Sequence, residues 1–167
     1  MKIRKLEGKD ALEYQSIRLK SLRENPEHFG SSFEEESTQK NDYFKDRLNQ
    51  NHSFVYGYFI DSVLVGIIVL VKETRIKTAH IANISAMYVD PLYRRRGIAK
   101  TLIQAAINKA NEEKIERIRL TVNKNNTPAI RLYETFGFKI YGVEPQGLKI
   151  KNNYYDIIEM NLPLIVN

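Results

Sequence analysis

No cysteine occurs in the 167 residues. That excludes a disulfide framework and a thiolate nucleophile. Histidine is scarce as well: His28, His52 and His80 stand in no ligand spacing, so a zinc site is not expected. Long apolar runs are missing. The stretch "VLVGIIVLV" (Val63–Val71) falls well short of the roughly 20 residues that cross a bilayer, and "MKIRKLEGKD" lacks the apolar core of a signal peptide. A soluble protein of the cytoplasm, without membrane partners, is the expectation. No internal repeat, linker or low-complexity segment interrupts the chain. Two phosphate-binding signatures are absent too. No G-x-G-x-x-G exists, and "GIAKT" (Gly97–Thr101) imitates the end of a Walker A loop without its first glycine.

What is present reads as one domain, residues 1–167, on the usual scale of roughly 100–200 residues per domain. Hydrophobic residues make up 43% and charged residues 28%, ordinary for a globule with a core of its own. The net charge is +6. It is spread along the chain except at Arg94–Arg96, and by itself it fits an anionic ligand, nucleic acid or mere solubility. Periodicity gives strands over 3–6, 53–60, 63–71, 80–89, 117–122, 139–149 and 152–162. It gives helices over 9–24, 38–49, 97–113 and 128–136. "HFGSSFEEES" (His28–Ser37) reads as a loop. "VLVGIIVLV" reads as a strand buried on both faces. The sum is an α/β domain with a mixed sheet of about seven strands and about four helices.

Two stretches carry chemistry. In "YVDPLYRRRGIAKTLIQ" (Tyr88–Gln104) a strand ends, three arginines follow, and Gly97 opens a helix. A helix N-terminus has unpaired N–H groups and roughly half a positive charge. Gly97 lets an anion approach the backbone, Ala99 keeps the next turn small, and Lys100 adds charge. An anion site and a solvated basic loop are both open at this point. In "VNKNNTPAIRLYETFGF" (Val122–Phe138), Asn126, Thr127 and Pro128 start a short helix, and Gly137 suits a left-handed C-cap. Tyr133 reads equally as a core anchor with a bonded hydroxyl or as a reactive group.

Together, "YVDPLYRRRGIA" (Tyr88–Ala99) and "AIRLYETFGF" (Ala129–Phe138) resemble the GCN5-related N-acetyltransferase (GNAT) superfamily. The family pattern Arg/Gln-x-x-Gly-x-Gly/Ala is met by Arg94, Gly97 and Ala99. The element order along the chain agrees with that family's. The resemblance implies a GNAT-like fold, acetyl-CoA as acetyl donor and no metal. It implies a backbone edge at Met87, Tyr88 and Val89 for the pantetheine arm. The pyrophosphate would rest on Arg94, Arg95, Arg96, Gly97, Ile98, Ala99 and Lys100. Asn126 and Ala129 would complete the cofactor contacts, with Tyr133 near the sulfur as the acid for the leaving thiolate. A neutral amine, on a small molecule or a peptide, would attack directly in a ternary complex. A backbone N–H near Val89 would polarise the carbonyl.

The base and the acceptor stay open. Phe29, Glu34, Glu35 and Tyr154 are the acceptor-site candidates, with Tyr155 beside Tyr154; Glu34, Glu35 and Glu36 are candidates to accept the amine proton or draw a cationic amine, and His80 is a weaker candidate for the base. The acidic "FEEES" leans towards a cationic acceptor. Nucleic acid is not the expected partner, since the helix after Gly97 offers only Gln104, Asn108 and Lys109 in its support, and a homodimer is left open. Two rival readings stand beside the enzyme. A non-catalytic acyl-CoA sensor on the same fold would bind the thioester without turning it over. A basic nucleic-acid module would ignore acetyl-CoA and lose affinity steeply with salt.

Overall fold

In a computed structural model, described here for residues 2–165, seven strands build one sheet in the order β1-β2-β3-β4-β5-β7-β6. The strands are β1 (Lys2–Lys5), β2 (Ser53–Ile60), β3 (Val63–Lys72), β4 (Ile81–Val89), β5 (Arg117–Asn123), β6 (Lys139–Ile150) and β7 (Asn153–Pro163). The helices are α1 (Ala11–Glu24), α2 (Phe33–Ser37), α3 (Asn41–Asn49), α4 (Ile98–Glu112) and α5 (Thr127–Glu134). Every neighbouring pair is antiparallel except β4 and β5, which run parallel and are joined by the crossover helix α4. Asp61 and Ser62, both at positive φ, turn β2 tightly into β3.

β3 is buried from Val65 to Leu70 because both sheet faces are covered. On one face Ile68 and Leu70 meet Ile98, Leu102, Ile103, Ala106 and Ala110 of α4. Gly66 lets that helix come close, since a Cβ there would stand 3.1 Å from Leu102. On the other face Ile67 and Val69 pack with Tyr14, Ile17 and Leu22 of α1 and Phe44 and Leu48 of α3. Each such aliphatic side chain contributes about 1.5–3 kcal/mol by leaving water.

One sequence expectation is corrected. The acidic stretch read as a loop contains helix α2, and the following helix begins at Asn41 rather than Thr38. Ser32 accepts the N–H of Glu35, and the Glu35 carboxylate accepts the N–H of Ser32. This reciprocal capping box stabilises a helix of only five residues. Glu36, on its inner side, is buried between Arg18 and Arg47.

Two features open the sheet. β4 and β5 pair only from Ile81–Ile84 against Arg117–Leu120, and then part. At the parting point β4 bulges: Leu70 faces Ile84 and Val69 faces Ala86, so Ser85 has no partner across β3. The parted ends leave the β5-facing edge of Met87–Val89 without a neighbouring strand.

Candidate active site

The cleft between the parted strands has three connected parts. The deepest is lined by Ser85, Met87, Thr121, Asn123, Asn126 and Tyr133, with His28 at its rim. From it a groove of about 620 Å3 runs along Met87–Val89 to Arg94, Arg95 and the Gly97–Lys100 turn, with Asn126 and Ala129 on its other wall. On the opposite side Ile84, Ser85 and Thr121 lead into a second pocket of about 430 Å3.

The end of β4 is held firmly. Tyr88 donates its hydroxyl to Glu24 at 2.5 Å, and Lys20 meets Asp90 at 2.5 Å, so α1 clamps the strand twice. Burial and the neighbouring Glu24 carboxylate push the Tyr88 hydroxyl pKa up, which keeps it a donor. Arg94 donates from Nε to the carbonyl of Val89 at 3.0 Å, folding the arginine loop back on the strand. Arg95 and Gly97 both sit in the left-handed region, at φ 61° and 78°. A Cβ on Gly97 would meet nothing within 4 Å, so the backbone faces open space. No side chain caps α4 there, and its first N–H groups point out of the helix end unpaired. Backbone donors, a basic collar and an open approach make this turn competent to hold a polyanion.

Tyr133 lies at the base of the cleft with its ring against Phe138, 5.4 Å between centroids. Among the described residues its hydroxyl meets only the thioether of Met87, at 3.8 Å. Thioether sulfur is a weak acceptor, so the hydroxyl is not committed to structure. Burial pushes its pKa up, so it carries its proton at neutral pH. The side chain of Asn126 accepts the N–H of Ala129 at 3.3 Å, capping α5. Asn123, itself buried, donates to the carbonyl of Glu27 at 3.1 Å and so straps the segment bearing His28 across the cleft. Burial lowers the His28 pKa, partly offset by Glu27 and reinforced by Arg94.

The sequence-derived candidates divide. Met87, Tyr88, Val89, Arg94, Arg95, Gly97, Ile98, Ala99, Lys100, Asn126 and Ala129 line the groove, and Tyr133 lies deeper in the cleft. Arg96 stacks over Tyr93 instead. Phe29 lines both the groove and the second pocket. Glu35 is engaged in its capping box, and Glu34 is exposed on α2. Glu36 is consumed by Arg18 and Arg47. Tyr154 is exposed at the β6–β7 turn beside Lys149 and lines neither pocket. His80 precedes β4 at its far end, beside Glu116 and Arg117. Sequence reasoning missed His28, Ser85, Arg18, Arg119, Tyr141 and Glu159: the register of the folded sheet brings the four strand residues together, and the packing of α1 and the segment after it adds Arg18 and His28.

Known proteins agree with this architecture. Solved structures with the same fold include an acetyltransferase of the GNAT family from Streptococcus pneumoniae (TM-score 0.84, 23% identity, 98% of this chain and 99% of that one). A putative acetyltransferase from Salmonella typhimurium, solved with its cofactor acetyl-CoA, also superimposes (TM-score 0.84, 17% identity, 100% and 95%). Among curated proteins, a streptothricin acetyltransferase from Escherichia coli is 34% identical over 108 residues, covering 65% of this chain and 60% of the relative. An L-amino acid N-acetyltransferase, AaaT, from Escherichia coli K12 is 31% identical over 102 residues, 60% and 62%. The chain thus spans about 60% of the length of these two curated relatives. No helix among the described residues is long and apolar enough to cross a membrane. The family model described as Acetyltransferase (GNAT) family matches residues 18–138, well over half of the chain and both motif stretches, and the protein belongs to that family.

Proposed function

We propose that this chain, acting as one domain over residues 1–167, is an N-acetyltransferase that moves the acetyl group of acetyl-CoA to a primary amine of a small molecule or peptide. The observation that carries the reading is the cleft itself: an unpaired strand edge, a left-handed glycine at a helix mouth, and an uncommitted tyrosine hydroxyl at its base. The residues fit coenzyme A. Met87–Val89 offer a strand edge without a neighbouring strand to an amide-bearing arm, apart from the Val89 carbonyl that Arg94 occupies. Gly97–Lys100 with Arg94 and Arg95 offer N–H groups and charge to a pyrophosphate. The cytoplasm is the proposed compartment, which a supply of acetyl-CoA there would suit.

In the reaction the amine nitrogen forms a bond to the acetyl carbon, the carbon–sulfur bond breaks, and its electron pair leaves on sulfur. Tyr133 supplies the proton to the departing thiolate. His28, neutral at neutral pH and at the rim of the deep cleft, takes the proton that the amine gives up, directly or through water. The backbone N–H near Val89 polarises the acetyl carbonyl. A direct attack of this kind needs no cysteine. The named acceptors of the two curated relatives, streptothricin and L-amino acids, differ, so likeness alone does not transfer an acceptor.

Differential scanning with acetyl-CoA tests the reading. At about 100 times its dissociation constant the ligand adds about 2.7 kcal/mol to stability. Gly97→Glu, which sets a charged side chain in open space at the helix mouth, abolishes that shift while the unliganded fold persists. An unaltered affinity in the folded variant refutes the cradle, and no response of the wild type to millimolar acetyl-CoA refutes the function.

A further inference from the structure

The second pocket, across the parted strands from the groove, is where an acceptor would approach the reacting centre, and its lining is sorted by charge. At one end stands Arg18, 3% exposed. Its Nε and Nη2 donate to the two carboxylate oxygens of Glu36 at 3.0 and 2.8 Å, and its plane lies 5.2 Å from the Phe29 ring. The third nitrogen, Nη1, is buried with no hydrogen-bond partner among the described residues. A buried guanidinium nitrogen left without an acceptor is unusual and calls for a ligand atom. Arg47 also reaches Glu36, at 3.3 Å, so two cations share one carboxylate and the cluster keeps a positive charge. Arg119, whose side chain is 36% exposed, lines the pocket from β5. Nε meets Asn83 at 3.1 Å, Nη2 meets Glu73 at 3.0 Å, and Nη1 has no partner among the described residues. Both arginines are therefore fixed by two nitrogens each; Arg18 keeps a buried donor in reserve, and Arg119 keeps one on a partly exposed side chain.

The opposite charge sits with Glu159 on β7. It lies across from Thr121, one of the residues shared with the deep cleft, and makes no ion pair or hydrogen bond among the described residues. Tyr141 comes from a second bulge, where Ile140 faces Met160 and Gly142 faces Glu159. Ser85, from the first bulge, lines the pocket as well as the deep cleft. Two irregularities of the sheet thus deliver side chains to one space.

Resting on the acetyl-transfer reading, we infer that the acceptor is a small amine that also carries a carboxylate, an amino acid or a close analogue. Its carboxylate meets the reserve donors of Arg18 and Arg119, and its ammonium lies towards Glu159 and the Thr121 side that opens on the cleft. Guanidinium groups suit a carboxylate in shape and charge, and a polyamine would find those two cations against it. The acidic stretch that leans towards a cationic acceptor in the sequence is used up in the α2 cap and the Glu36 cluster.

The test is thiol release from acetyl-CoA by the full chain with neutral L-amino acids, their C-terminal amides, matched alkylamines and a diamine. We expect kcat/KM for the acids at least tenfold above the amides and alkylamines, with the difference in KM. Arg119→Gln should bring the acid-to-amide ratio towards one while the acetyl-CoA dissociation constant holds. Arg18→Gln combined with Glu36→Gln, which removes the buried pair together, should do the same. Amides, alkylamines or diamine equal to or better than the acids, with acetyl-CoA bound normally, overturn this inference alone. A ratio that survives all three substitutions also overturns it. Failure to bind acetyl-CoA overturns the transfer reading and this one with it.

Discussion

At the scale of single residues, the proposed reaction divides the proton traffic between Tyr133 and His28, and each role has a distinct signature. Among the described residues the Tyr133 hydroxyl has only the Met87 thioether beside it, so Tyr133→Phe breaks no strong bond and costs well under about 1 kcal/mol of stability. Turnover should fall by about 10²–10⁴-fold, with the acetyl-CoA dissociation constant nearly unchanged, because the lost interaction acts in the transition state. Steady-state kinetics beside a binding titration separate the two; normal turnover in the folded variant would remove the tyrosine from the mechanism. His28 is read by pH. Burial lowers its pKa below the usual value of about 6.5, so the neutral ring is available at neutral pH and is lost only in acid. The wild-type kcat/KM profile should carry an acid limb below that value. In His28→Gln the limb disappears and the plateau drops by about 10²-fold, whereas the alkaline behaviour set by the amine stays.

At the scale of elements, the difference between what the sequence discloses and what it hides follows from range. α4 announces itself through Ile98, Leu102, Ala106 and Ala110, one face repeated over four turns, and α5 through Pro128 and the Gly137 cap. Both halves of the groove lie within those local signals. α2 is shorter than any window that periodicity can read, although Ser32-x-x-Glu35 is the capping-box pattern in plain view. The second pocket, the proposed acceptor site, is hidden for another reason. Arg18 and Glu36 are 18 positions apart, and Thr121 and Glu159 lie on strands paired only in the fold. The two bulges depend on strand register, to which no single residue points. The cap itself is testable. Ser32→Ala leaves the Glu35 N–H without its side-chain acceptor and should lower stability by about 1 kcal/mol. Thermal denaturation reads the loss. A change within experimental error would mean that the Arg18–Glu36 pair alone holds α2.

At the scale of the whole molecule, the joints between layers are ion pairs, which ties stability to pH. Arg4 grips Asp10 with two nitrogens, at 2.8 and 2.7 Å, fixing β1 to the turn before α1. Arg18 and Arg47 hold Glu36, Lys20 holds Asp90, and Lys72 and Lys109 hold Glu113. All four carboxyls have lowered pKa values. For Asp10 the hydrogen bond from Arg4 dominates, and for Glu113 those from Lys109 and Lys72. For Glu36 and Asp90 burial pushes upward, but their cationic partners together outweigh it. A carboxyl that is more acidic in the folded state makes the unfolded chain the better proton binder in acid. Its contribution is therefore complete above the ordinary carboxylate range of about 4, and is lost as pH falls through and below that range. His28 acts earlier in the same direction, because the unfolded ring takes up its proton below about 6.5 while the folded one resists. Urea denaturation from pH 8 to 3 should show a shallow decline that begins below about 6.5, then a steep one below about 4. His28→Gln removes the first phase and leaves the second. Asp90→Asn reduces the second, since its bond to Lys20 is the clamp between α1 and the end of β4. Stability that stays flat down to pH 3 would mean that these pairs contribute nothing net and that the two hydrophobic layers alone hold the sheet.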